Sequence, residues 1–76
     1  MCTNTISTIG QRLVGLNFNP SGNEDVNKAK QLCADLIDLL SNTENNSIAQ
    51  ADIKNRAIYD VLAAQMMVVK ALTWQN

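Results

Sequence analysis

From Ala57 to Trp74 the chain is apolar on nearly every side a helix would present, and this limits what it can fold into more than any other feature. Ala51, Ile58, Val61, Leu62, Val69 and Leu72 fall on one stripe at helical spacing. Ala57, Ala64 and Ala71 recur every seven residues on a neighbouring stripe with Val68, while Ala63, Met66 and Met67 extend the apolar surface to further sides. Small residues at heptad spacing let a second helix approach closely. One partner helix within the same chain cannot cover such a surface, so the protomer is expected to associate through this helix. The chain has 76 residues, enough for a single domain with a small core, and such domains usually need a disulfide, a metal or partner subunits.

The other two aids are not indicated. Cys2 lies near a chain end and Cys33 on an apolar helix face, which suits packing better than a staple. The chain has no histidine and no Cys-x-x-Cys, so a metal ligand set is not expected, nor any cofactor. A net charge of -1 argues against general binding to DNA or RNA polymers, which requires a field of positive charge. The opening residues lack the basic and apolar blocks of a signal peptide, and no apolar run approaches the roughly 18 residues of a membrane span. A cytoplasmic protein without membrane contact is expected.

The first long helix is announced by Asn17-Phe18-Asn19-Pro20-Ser21-Gly22-Asn23. Pro20 fixes its own φ and extends Asn19, and both Ser21 (with Glu24) and Asn23 (before Glu24 and Asp25) can cap the helix. Val26, Ala29, Cys33, Leu36, Ile37 and Leu40 then share one face, widened by Leu32 and Leu39, with Glu24, Lys28, Gln31, Asp35 and Asp38 opposite. Ser41 to Asn46 form a polar turn, and Ser47 followed by Gln50 reads as a capping box for the second helix. Before the first helix, Ile6 to Leu16 give a short helical or extended apolar segment, in which Gly10 and Gly15 prevent a long regular helix, and it reads as an arm.

The predicted organisation is all-α, an antiparallel helical hairpin with a short N-terminal arm that assembles into a homo-oligomer. Its parts are a tail over 1–8, an arm and turn over 9–22, a helix over 23–40 and a second helix over 47–74.

The cations divide by what surrounds them in sequence. Lys28 has Glu24 and Asp25 at helical spacing, and Arg56 has Asp52 and Asp60, so both read as paired surface residues. Lys30 has no such acid and sits at the rim of the apolar arc, where a cation can meet an anionic ligand. Lys70 resembles Lys30 in this respect, although a lysine snorkelling at an interface edge explains it equally well. Arg12 suits either a solvated position or an anion contact. Tyr59 and Trp74 read first as packing residues.

Five segments together resemble the small phage proteins that share the helical hairpin of the anti-CBASS and anti-Thoeris cyclic-nucleotide sponges. They are Ile9-Gly10-Gln11-Arg12, the turn from Asn17 to Asn23, Val26 with Lys30, Ala34-Asp35-Leu36-Ile37-Asp38-Leu39, and Met67-Val68-Val69-Lys70-Ala71. The resemblance spans most of Ile9 to Thr73. Where that family often carries a tryptophan shortly before the final lysine, this chain has Met66 and Met67, with Trp74 following. The resemblance implies a homohexamer that binds cyclic oligonucleotide immune messengers without cleaving them, in the cytoplasm of an infected bacterium. The ligand-binding residues it suggests are Phe18, Asn19, Pro20, Ser21, Lys30 and Arg12, with a second candidate pocket at Lys70 and Thr73.

The residue chemistry is compatible with that function, since phosphates call for uncompensated cations and bases for flat apolar surfaces. Hydrolysis would call for a base, a nucleophile or a metal, and the usual constellations are missing from the sequence. The alternative of another class is an oligomeric helical hairpin that docks a protein partner; it accounts for the second helix but not for Lys30 and Phe18.

Overall fold

A computed structural model of the chain describes residues 8–20 and 22–75. These residues form three helices and no strand: α1 (Ile9–Val14), α2 (Glu24–Ser41) and α3 (Ile48–Thr73). The chain is all-α.

The expected arm contains a helix of its own. Thr8 caps α1: its hydroxyl accepts from the Gln11 N–H at 3.1 Å, and the Gln11 side-chain oxygen accepts from the Thr8 N–H at 3.1 Å. Gly15 then ends the helix in the left-handed region at φ 65°. Gly10 lies inside this short helix and is buried. A Cβ built on Gly10 would fall 2.2 Å from the Ala34 carbonyl oxygen and 2.7 Å from Asp38 Oδ1. The Gly10 N–H donates to that carboxylate at 2.7 Å. Gly10 is therefore the point at which α1 seats directly on the backbone of α2.

Of the two caps available to α2, Asn23 is seen in place: its side chain accepts from the Asp25 N–H at 2.8 Å. Glu24 and Asp25 follow in the first turn, where acids meet the positive end of the helix dipole. Ser47 caps α3 by accepting from the Gln50 N–H at 3.0 Å. Gln50 completes the cap differently from a standard box, accepting from the Asn46 N–H instead of from Ser47.

The core joins Val14 of α1 to Ala34 and Ile37 of α2, with Leu16, Cys33, Ile58, Val61 and Leu62 packed against them. This corrects the face expected for α2. Its buried residues are Val26, Lys30, Ala34 and Ile37, whereas Leu32 and Leu39 are 69% and 66% exposed and Leu36 is 45% exposed. The physical reason is α1, whose Gly10 lies directly against the Ala34 backbone; seating α1 there turns the leucines outward. Asp38, expected on the polar side, is half-buried as the acceptor for Gly10.

α3 meets α2 through Ile58, Val61 and Leu62, and near its end the Leu72 carbonyl accepts from Asn23 at 3.5 Å. The one buried residue of α3 is Gln65, which lies outside the expected apolar stripe. Met66, Met67, Tyr59 and Ile53 remain largely exposed, as do Ala64 and Ala71 of the alanine row. The protomer spans only 12 Å in its shortest dimension. Two stacked helical layers need about 8–10 Å between axes plus a Cα radius of about 2.3 Å on each side, so this is a single layer. Among the described residues, nothing covers its faces.

Candidate ligand-binding cleft

The turn between α1 and α2 is held from beneath by one side chain. Lys30 is 5% exposed, and its ammonium donates to the Gly15 carbonyl at 3.1 Å and to the Phe18 carbonyl. The same ammonium lies 5.4 Å from the centre of the Phe18 ring. Lys30 is thus inside the fold and not at its rim. A buried ammonium needs compensation, and here two backbone carbonyls and an aromatic face supply it in place of a carboxylate.

With its carbonyl fixed, Phe18 presents its ring outward at 70% exposure. Asn19 fastens the next residues of the turn: its Nδ2 donates to the Asn23 carbonyl at 2.9 Å and to Asn27 Oδ1 at 2.9 Å. The Asn23 side chain in turn links the start of α2 to the end of α3, as described above. A ladder of three asparagines therefore runs beside the aromatic turn.

Phe18, Asn19, Pro20, Val26, Lys30, Val69 and Thr73 line a cleft of about 200 Å³ between the turn, α2 and the last turns of α3. Four of the six residues expected to bind ligand meet here. Ser21 lies outside the described residues. Arg12 is exposed on α1 and is absent from the lining of this cleft.

The separate pocket expected at Lys70 and Thr73 divides. Thr73 belongs to the Phe18 cleft, its hydroxyl donating to the Val69 carbonyl at 2.8 Å. Lys70 is exposed and stacks 5.5 Å from the centre of the Trp74 ring. Val26 and Val69, which also line the cleft, were not among the residues expected to bind ligand. Their position becomes legible once the end of α3 is placed against the start of α2.

The division of the cations by sequence neighbours is reversed in space. Lys28 and Arg56 make no ion pair among the described residues, although both have acids at helical spacing. Their carboxylate neighbours are solvated on an exposed face, where holding two long side chains together gains little. Lys30, expected without a partner, is the engaged one.

Lys28 lines a second, more open cleft of about 420 Å³ together with Leu16, Asn17, Asn27 and Gln31. Cys33 is a free, half-buried thiol, and burial pushes its pKa upward. Among the described residues no group of three His, Cys, Asp or Glu side chains could hold a metal ion, and no helix is long and apolar enough to cross a membrane.

Comparison of the chain with protein-family models, with curated proteins and with solved structures found no match.

Proposed function

We propose that this protein is a non-catalytic sponge that binds and sequesters cyclic oligonucleotide immune messengers, blocking anti-phage signalling in the cytoplasm of an infected bacterium. The observation that carries the reading is the Phe18 cleft: an outward aromatic ring on a braced turn, next to a buried ammonium and an apolar floor. Such a ring stacks on a base without regard to its identity, and each stacked base contributes about 1–3 kcal/mol. Lys30 has three N–H donors, of which two are engaged by carbonyls. The third can point to a phosphate oxygen.

The size of the cleft supports a site shared between protomers. About 200 Å³ is below the roughly 300–1,000 Å³ of pockets for drug-sized ligands, and a cyclic dinucleotide is larger than most of these. Two clefts facing each other across a two-fold axis would present two Phe18 rings and two Lys30 ammoniums to a ligand of matching symmetry. We therefore propose an antiparallel helical hairpin in which α2 and α3 run side by side, assembled into a homo-oligomer, with a hexamer as the form suggested by the family resemblance. The exposed apolar surface of α3 supports assembly through that helix.

Calorimetry against cyclic dinucleotides, cyclic trinucleotides and cyclic ADP-ribose tests the proposal, followed by recovery of the ligand after heating. Saturable binding at one ligand per two protomers, with intact ligand recovered, is the expected result. Binding of none of the panel overturns it in favour of a second reading, an oligomeric helical module docking a protein partner. That reading is favoured by the exposure of Met66, Met67 and Trp74, each above 60%.

A further inference from the structure

We propose that the open cleft lined by Leu16, Asn17, Asn27, Lys28 and Gln31 is a separate binding site for a small, hydroxyl-rich ligand with a single phosphate group, of the sugar-phosphate class. It shares no lining residue with the Phe18 cleft and is the more open of the two, a shallow groove of about 420 Å³.

The chemistry of the lining selects the ligand. Three carboxamides and one ammonium make up its polar part, and no aromatic ring is among the lining residues, so the cleft has no platform for stacking a base. Carboxamides offer one acceptor and two donors each, which matches the alternating donors and acceptors of neighbouring hydroxyls.

The hydrogen bonds within the protein determine which of these atoms remain. Asn27 Oδ1 accepts from Asn19, so Asn27 keeps its amide donors for a ligand. Gln31 Nε2 donates to Asp35 Oδ1 at 2.8 Å, so Gln31 keeps its carbonyl acceptor. The Asn17 and Lys28 side chains make no hydrogen bond or ion pair among the described residues. The cleft therefore offers donors on Asn27 and Asn17, an acceptor on Gln31, and one ammonium. Lys28 can take the single phosphate group, with the hydroxyls laid along the carboxamides. The Asp35 carboxylate beyond Gln31 sets a limit on charge, since it would repel a second anionic group.

The side-chain NH2 signals of Asn17, Asn27 and Gln31 in a 15N-labelled sample report on this cleft directly. Titration of the full-length protein with glucose 6-phosphate is expected to shift them saturably, with at least tenfold weaker effects from glucose or inorganic phosphate alone. Lys28→Gln, at an exposed position without partners, should leave the fold intact and weaken glucose 6-phosphate at least fivefold. Failure of glucose 6-phosphate to shift the three signals overturns the proposal. So does an equal response to inorganic phosphate, which would mark a nonspecific anion contact, or unchanged affinity in Lys28→Gln. Cyclic dinucleotide binding by Lys28→Gln is expected to equal that of the parent chain. The two clefts can therefore fail or succeed independently.

Discussion

Lys30 holds Phe18 from two sides at once, donating to its backbone carbonyl while facing its ring at 5.4 Å. Any experiment on this pair must therefore separate a loss of ligand contact from a loss of the turn itself.

Phe18→Ala is expected to separate them in one direction. The ring is 70% exposed and outside the core but faces a buried ammonium, so stability should fall by about 1–2 kcal/mol, between the values of an exposed and a desolvated cation–π contact. Affinity for a cyclic dinucleotide should fall by about 1–3 kcal/mol through lost stacking. Urea denaturation and calorimetry on the same sample check both halves, and unchanged affinity would remove Phe18 from the site.

Lys30→Met is expected to act on stability as well as affinity. Methionine keeps much of the apolar stem but leaves the Gly15 and Phe18 carbonyls without their donor, a loss of about 1–3 kcal/mol in the urea midpoint analysis. A variant as stable as the parent chain would show that the carbonyls find water at no cost and that the brace is unimportant.

The difference between these two residues shows what was legible in the sequence. The helices were, because Asn23, Ser47 and Gly15 carry capping and stop signals that act locally. The cap on α1 was equally available in Thr8 and Gln11, a capping-box pair at the standard spacing. The buried face of α2 was not legible from its own periodicity. It is chosen by a contact with Gly10, 24 residues from Ala34 along the chain, and no pattern within α2 reports it. Lys30 was misplaced for the same reason: its partners are backbone carbonyls from the preceding turn, which have no sequence signature. Phe18, Asn19, Pro20 and Lys30 were still found together, since a turn leading into a helix brings its residues close to the first turns of that helix.

Ala64→Glu tests assembly. Ala64 is exposed in the protomer, so a carboxylate there is solvated in an isolated chain and is expected to leave the helices in place. In a packed interface the same charge would be buried without a partner, which is strongly destabilising. Light scattering should show a smaller species than the parent chain at equal concentration. Retention of the parent mass would take α3 at this position out of the interface.

Cys33 gives a prediction about pH. Burial raises its pKa above the ordinary thiol value, so the folded chain holds this proton to higher pH than the unfolded chain does. Between the two values the folded state binds more protons, and stability is therefore expected to decline as pH rises through the unfolded thiol pKa. In a Cys2→Ser background, where Cys33 is the sole cysteine, alkylation by iodoacetamide should be slower than in urea-unfolded protein, with its pH profile displaced upward. Equal rates in the folded and unfolded chains would contradict the burial of this thiol.

Gly10→Ala sets two effects of opposite sign against each other. In an exposed helix interior, replacing glycine by alanine stabilises by about 0.8–1 kcal/mol, and Gly10 lies inside α1. Here the new Cβ would sit 2.2 Å from a backbone oxygen of Ala34, which cannot rotate away as a side chain could. Relief requires α1 to lift from α2, and that movement stretches the Gly10 bond to Asp38 and opens the contact of Val14 with Ala34 and Ile37. Overpacking of this kind costs about 1–3 kcal/mol, so the close contact should prevail and the variant should be less stable by up to about 2 kcal/mol. Because α1 leads into the Phe18 turn, ligand affinity should fall as well, although Gly10 lies outside the cleft. A Gly10→Ala protein of higher urea midpoint than the parent chain would mean that α1 does not rest on the α2 backbone, and the seating of the whole turn would have to be redrawn.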